Sequence, residues 1–564
     1  MKLMSNRIIL KFYTITLMAM LITLLSCEEF LTEKPKSFFE QSNYYVDEAS
    51  LKSGLLGVYH GYYRLFRDLN TAFIGELGTD EAVCLPYAQF INAMQKYSAK
   101  SDFAYYKVWY DFHFESIGRA NSIINLAPEV ENTSEEFVST VIEESKVLRA
   151  WLYFRLVQTV GPVPLVDKPF GAPDFSVARA PVSDIYNLIV NDLSNAIESG
   201  DLLQEKSELE PGRITQDIAV AMLGKVYLTM AAGKENGVLD RLMEKVGKSG
   251  YGYSAISKSS QELYEEAAIT FKPLLSKYEL HPEYGELFCT ENKNIISENM
   301  WEIQFSDFPG EGSGWQRRLG AKTDLAAEEL TYWSNGLGWT QIMYSTYIWQ
   351  LSTKQDKRTL WNMTDSIYLA VANGVYGGVY LGFDPFDAVT NEDYHSWCGV
   401  TKYRHSFKDP LHEVYDFTGG YNDQGYNTIL MRFADVLLSY AEAEIGVNGG
   451  VATAEAVEAV NRVRNRARGS EVTESETPEF PNFSIGTLTP DSLLQERMFE
   501  FCFENTRRFD LVRTGKLIEQ YYKPESIGQY EHGIITEDNY LLPIPQDQIN
   551  VSINKVGFFQ NPGY

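Results

Sequence analysis

Positive charge is scarce in this chain: 49 Lys and Arg stand against 76 Asp and Glu, a formal net charge of −27 over 564 residues. Phosphate-backbone affinity needs concentrated Lys and Arg, so nucleic acid is not an expected partner. Cysteine is sparse as well, five in all, with no CxxC pair and no metal-like spacing. The seven histidines form no HExxH motif or close ligand pair; His395 with Cys398 and His405 with His412 come nearest, in loop-like surroundings. No GxSxG elbow, P-loop or dinucleotide fingerprint occurs. With 76 acidic residues some carboxylate pair always sits at glycosidase distance, so Asp384, Asp387, Glu392 and Asp393 read as a surface loop. The sequence thus predicts no cofactor, no metal and no catalysis.

Long apolar runs are missing too, except one. Lys2, Arg7 and Lys11 precede an uncharged stretch from Phe12 to Ser26. A bilayer-spanning helix needs about 20 apolar residues, so this run reads as a signal peptide over residues 1–26. It ends in Leu24-Leu25-Ser26-Cys27, which resembles the bacterial lipobox, so Cys27 is expected to be lipidated and to become the mature N-terminus. Residues 27–42 then form a short polar leash, and the acyl chains supply the membrane attachment. Lipidation of Cys27 leaves Cys84, Cys289, Cys398 and Cys502, whose pairing stays open among three possibilities.

What remains is an ordinary globular composition, 44% hydrophobic and 22% charged. Residues 43–279 carry helical periodicity: helices are predicted over 48–66, 102–126, 135–159, 183–199 and 214–232, joined by short connections as stacked hairpins. Leu223-Gly224-Lys225-Val226-Tyr227 fits the L-G-x-x-Y core of the tetratricopeptide pattern, in which glycine permits close helix approach. Residues 280–564 form the second region. From 280 to 430 Gly, Asn, Asp and aromatics rise and periodicity fades except near 340–351, the mark of a loop-rich, ligand-facing segment. After 430 helices return, one face carrying Ala434, Leu437, Leu438, Ala441 and Ile445, another Ala456, Val460, Val463 and Ala467. A further helix is predicted over 490–513, followed by an extended tail at Leu541-Leu542-Pro543-Ile544-Pro545. The fold class is all-α.

Several stretches together resemble the SusD/RagB family of outer-membrane nutrient-uptake lipoproteins. They are Cys27-Glu28-Glu29-Phe30-Leu31, Arg149-Ala150-Trp151-Leu152-Tyr153-Phe154, Arg432-Phe433-Ala434-Asp435-Val436, Asn461-Arg462-Val463-Arg464-Asn465-Arg466-Ala467, Glu496-Arg497-Met498-Phe499-Glu500, Arg507-Arg508-Phe509-Asp510-Leu511-Val512-Arg513 and the closing Gln560-Asn561-Pro562-Gly563-Tyr564. Thr506 and Thr514 depart from the Gly and Trp usual at those places. The resemblance implies an all-α scaffold of four degenerate tetratricopeptide units. It also implies a lid over a SusC-like TonB-dependent transporter at the cell outer membrane, lipid-anchored and facing outward, that captures glycan or peptide without cleaving it. The opposite charges at Glu496, Arg497, Glu500, Glu504, Arg507, Arg508 and Asp510 are read as structural ion pairs.

A pyranose ring offers a flat apolar face rimmed by hydroxyls, which Trp or Tyr covers while Asn, Asp, Gln or Arg bond the rim. Two groups supply these types in irregular segments: Trp315, Arg317, Tyr332 and Trp333, and Tyr87, Phe90, Asn92 and Tyr97. These eight are the expected glycan contacts. Trp109, Trp151, Trp339 and Trp349 lie on or beside helical stripes and are expected in the core. The leading expectation is oligosaccharide binding for delivery to the transporter. The alternatives are a peptide ligand for the same lid, or a helical-repeat scaffold that binds only protein.

Overall fold

The computed structural model describes residues 44–67, 72–84, 88–169, 174–290, 425–469, 471–524 and 532–564. Between 291 and 424 it describes 293–295, 297–306, 308, 310–315, 319, 322–323, 341–363, 366–369, 379–382, 396–397, 400 and 402–403. Cys27 and the leader, the leash, and the histidine and carboxylate groups of the 384–412 stretch lie outside these residues.

Ten helices organise the fold: α1 Glu48–Arg67, α2 Ala104–Leu126, α3 Glu135–Val160, α4 Val182–Ser199, α5 Gln216–Asn236, α6 Ser260–Phe271, α7 Phe433–Val447, α8 Ala454–Arg468, α9 Pro490–Glu500 and α10 Arg507–Arg513. From α1 to α8 each packs on the next in chain order, which is how degenerate helix-hairpin repeats build a continuous core. Local chemistry sets many of the ends. Ser134, Thr215 and Thr453 accept hydrogen bonds from backbone N–H groups in the first turns of α3, α5 and α8. Gly161 stops α3 at φ 72°, a conformation costly for any residue with a Cβ. In α1, Leu51, Leu55, Val58, Tyr62 and Leu65 are buried at three- and four-residue intervals.

Helix α6 does not figure among the predicted elements. It opens with a capping box in which Ser259 and Glu262 satisfy each other's backbone N–H groups. Its Phe271 ring lies so close to α5 that a Cβ on Gly224 would stand 2.6 Å from it. The tetratricopeptide-like glycine therefore does what its pattern requires. The helix predicted over 490–513 is two helices, α9 and α10, separated by a turn in which Phe503 and Asn505 take φ of 58° and 60°. Strong tertiary hydrogen bonds, described below, hold that break open.

Strands are few and short. β1 Ala82–Cys84 pairs antiparallel with β3 Ile342–Tyr344, and β2 Asn299–Ile303 with β4 Thr428–Arg432. The main core lies between the helices and these ladders. Tyr62, Trp151 and Trp301 form a triangle of rings with centroids 5.0, 5.5 and 5.9 Å apart. Trp109 and Trp151 are buried and Trp349 packs against the core; Trp339 lies outside the described residues. Cys84, Cys289 and Cys502 are buried. Among the described residues no helix is long and apolar enough to cross a membrane.

Candidate ligand-binding face

The ladder of β1 and β3 determines where the two groups of expected contacts start. Its register pairs Ala82 with Tyr344 and Cys84 with Ile342. Because the strands run antiparallel, the chain leaving Cys84 and the chain arriving at Ile342 emerge from the same end. The segment beginning at residue 85 and the segment finishing at Gln341 are thereby anchored side by side, although more than 250 positions separate them in sequence.

The other end of the ladder, beyond Ala82 and Tyr344, is pinned by hydrogen bonds. Ser345 donates its N–H to the Glu81 carbonyl oxygen at 2.8 Å and its hydroxyl to that of Asp80. The Asp80 carboxylate takes a two-pronged grip from Arg507 at 2.7 and 2.6 Å, a geometry that fixes orientation as well as distance. Glu81 accepts from the N–H of Phe503 at 2.7 Å, and Glu76 from that of Asn505. These two bonds fasten the α9–α10 turn in its left-handed conformation. Burial pushes the Glu76 carboxyl up to about 7 and Glu81 well above the usual range, and the two lie within hydrogen-bonding reach of each other. Such a pair shares a proton at neutral pH. Both are fully buried, and the pair holds the turn between α9 and α10.

A second brace lies behind it. Arg432 bonds Glu298 and Glu504, each at 2.9 Å, and Glu500 at 2.5 Å. Arg358 reaches Asp356, Glu496 and Glu500 at 2.7 to 2.9 Å, and Arg466 reaches Glu298 at 2.8 Å and Glu500. Burial raises the Glu500 pKa, but Arg466, Arg432 and Arg358 outweigh it and hold the carboxyl well below its ordinary value. Lys402 spans the gap, donating to Glu504 at 2.6 Å, to Tyr284 Oη at 2.8 Å and to the Cys502 carbonyl oxygen at 2.8 Å. The charged residues expected to be structural are so: Glu496, Arg497, Glu500, Glu504, Arg507 and Asp510 are all in internal ion pairs. Arg508 donates instead to Tyr97 Oη and to backbone carbonyls.

Of the eight expected glycan contacts, Tyr87, Arg317, Tyr332 and Trp333 lie outside the described residues, as does the Phe90 side chain. Two others require correction. Trp315 is buried, its indole N–H donating to the Phe503 carbonyl oxygen at 3.4 Å and its ring lying 6.1 Å from that of Phe73. Tyr97 is buried at φ 52°, donating to the Gly78 carbonyl oxygen at 3.0 Å and accepting from Arg508. Both rings are packed inside the protein. Asn92 is half-buried on the short helix Gln89–Gln95, which starts five residues beyond Cys84, and its amide makes no hydrogen bond among the described residues. Among those residues no cluster of His, Cys, Asp or Glu is arranged to hold a metal.

A separate recess of about 410 Å³ opens between α1 and the turn at Leu209–Arg213, with Tyr59, Tyr63 and Trp301 in its wall. None of the eight residues lines it.

Two family models match the chain, "SusD family" over residues 297–564 and "Starch-binding associating with outer membrane" over residues 29–228. The chain belongs to the SusD/RagB family. SusD-like protein P2 of Formosa agariphila is 25% identical over 580 residues, covering 98% of this chain and all of that protein. A SusD homolog from Bacteroides thetaiotaomicron superposes with a TM-score of 0.71 at 22% identity, over 95% of this chain and 100% of its own. A laminarin-binding SusD-like protein superposes with a TM-score of 0.67 at 23% identity, over 92% and 100%. The all-α, tetratricopeptide-like architecture expected from sequence is therefore that of SusD-family proteins. What sequence reasoning missed is the supporting layer of Glu76, Asp80, Glu81, Glu298, Arg358 and Lys402.

Proposed function

We propose that this chain is a surface lipoprotein that binds oligosaccharide without cleaving it and hands it to a SusC-like TonB-dependent transporter. One observation supports the binding reading above others: the two segments rich in rings and rim-bonding polar groups are anchored at the same end of one ladder, whose other end is pinned through Asp80, Glu81 and Ser345. Tyr332, Trp333 and Arg317 on one segment, and Tyr87, Phe90 and Asn92 on the other, are the residues to cover a sugar face and bond its hydroxyls. Family membership supports the carbohydrate class, one superposed relative being laminarin-binding. Cys27 carries the lipid that keeps the protein at the outer membrane, and capture beside the pore raises the effective ligand concentration, so modest affinity suffices.

The test is isothermal titration of the mature chain against a panel of polysaccharides and peptides, with reducing ends assayed in parallel. One polysaccharide class binds and no reducing ends appear. Trp333→Ala weakens that binding by ~1–3 kcal/mol without lowering Tm, the scale for losing one aromatic anchor. Binding of peptides alone, of nothing, or with release of reducing ends contradicts the reading. For the anchor, Cys27→Ser moves the protein from the detergent to the aqueous phase on partitioning.

A further inference from the structure

The short helix Gln89–Gln95 has an inner and an outer side. Ile91, Met94 and Gln95 are buried, whereas Asn92, Ala93 and Lys96 are half-buried. Asn92 and Lys96 stand one turn apart on one face, with Ala93 beside them. They form an outward stripe that starts near the ladder end, a few residues beyond Cys84, and runs to Lys96.

The surface continues past Lys96 onto a part of the chain more than 400 positions away. Gly533 lies so close that an added Cβ would stand 2.1 Å from the Lys96 carbonyl oxygen, an approach that only glycine permits. Beside it Ile534 is 93% exposed and Tyr522 is 46% exposed. The Tyr522 ring is nevertheless fixed. Its Oη accepts from the Ile535 N–H at 3.0 Å and donates to the Gly533 carbonyl oxygen at 3.4 Å. The ring centroid lies 5.0 Å from that of Tyr521, at 78° to it, and 5.4 Å from that of His532. Tyr521 is buried, takes the Gly533 N–H at 2.7 Å and packs 5.7 Å from the Tyr97 ring. An aromatic ring and an aliphatic side chain are thus presented to solvent on a base joined to the end of the helix. A ring ordered in advance loses little freedom when it stacks on a ligand.

We propose that Tyr522 and Ile534 form a far subsite for oligosaccharide, reached by a chain that starts at the ladder end and lies along the Asn92–Lys96 stripe. This inference rests on the glycan reading above and deepens it by naming where an extended chain continues. Tyr522 covers the apolar face of one sugar ring and Ile534 flanks it. Asn92 and Lys96 bond hydroxyls on the way. The protein therefore favours long chains over short fragments of the same polysaccharide.

The test is titration of the mature protein with the polysaccharide that binds most tightly in a panel including laminarin, and with fragments of it graded by length. Wild-type affinity rises with chain length. Tyr522→Ala loses ~tenfold in affinity for the polysaccharide, the scale for one aromatic contact, and binds the shortest fragment that still binds as wild type does. Should that variant fail to fold, Ile534→Ser, altered at a side chain almost wholly in solvent, shows a smaller loss with the same length dependence. Folded variants that bind the polysaccharide like wild type, while Trp333→Ala weakens it, overturn the far subsite and leave the glycan reading standing. An equal loss for the shortest fragment and the polysaccharide also overturns the subsite. A wild type that binds no polysaccharide of the panel overturns both.

Discussion

Trp301 and Arg432 are near neighbours on the paired strands β2 and β4, yet they enter two quite different interiors. Trp301 turns to the first-half helices and meets Tyr62 and Trp151 ring to ring, a contact made of area and shape. Arg432 enters a set of carboxylates, Glu298, Glu500 and Glu504, contributed by segments far apart in sequence. Apolar packing tolerates a change of side chain of similar volume, because dispersion and burial have little directionality. A buried ion pair has no such tolerance: removing one partner strands the other in a medium that solvates charge poorly. The packing around Trp301 is thus non-directional, whereas the charges around Arg432 are directional ties between segments distant in sequence.

The sharpest way to break this contrast is at Arg432. Arg432→Ala leaves three buried carboxylates short of a cation and lowers stability by ~3–5 kcal/mol or more, read by chemical denaturation. Replacing Arg432 with Lys rescues little, since one ammonium does not reproduce the fork of contacts. At Trp301, by comparison, truncation to Ala costs ~3–5 kcal/mol while Trp301→Phe keeps most of the ring packing and costs clearly less. Equal tolerance of Arg432→Lys and Trp301→Phe erases the distinction between the two interiors.

A smaller effect comes from the shared proton of Glu76 and Glu81. A carboxyl whose pKa is raised on folding contributes stability fully below its ordinary value of 4.5, and loses it as pH rises through the folded value, about 7 for Glu76. Between about pH 5 and about pH 8 the wild-type Tm therefore falls more than that of Glu81→Gln, which keeps an acceptor for the Phe503 N–H and a fixed donor for Glu76. Parallel Tm curves for the two proteins contradict the shared proton. At the far end of the scale, Lys107→Ala removes an exposed i,i+4 pair with Asp111 and changes stability by less than ~0.5 kcal/mol.

How far the sequence disclosed this arrangement depends on the range of the interactions involved. The predicted helix over 135–159 is found at Glu135–Val160, because 3.6-residue periodicity and a glycine stop are local signals. Helix α6 was equally legible in principle, since its Ser259…Glu262 box is a local start signal. The break at Phe501–Thr506 was not, because Glu76 and Glu81, more than 400 residues earlier, create it. Trp315 and Tyr97 show the same limit at the site: residue type marks a ring able to stack on a sugar, but only the fold tells that these two rings are buried. The anchoring of the two segments at one ladder end likewise rests on a three-residue strand register that no local pattern encodes.

The most direct measurement of the central claim is affinity electrophoresis of the mature protein through gels containing single polysaccharides, run beside Trp333→Ala and Asn92→Ala. The account predicts that one polysaccharide retards the wild type, that each variant on either loop segment runs faster in it, and that the polysaccharide is recovered uncut. Retardation by none of the glycans, or retardation untouched by changes on both segments, contradicts it.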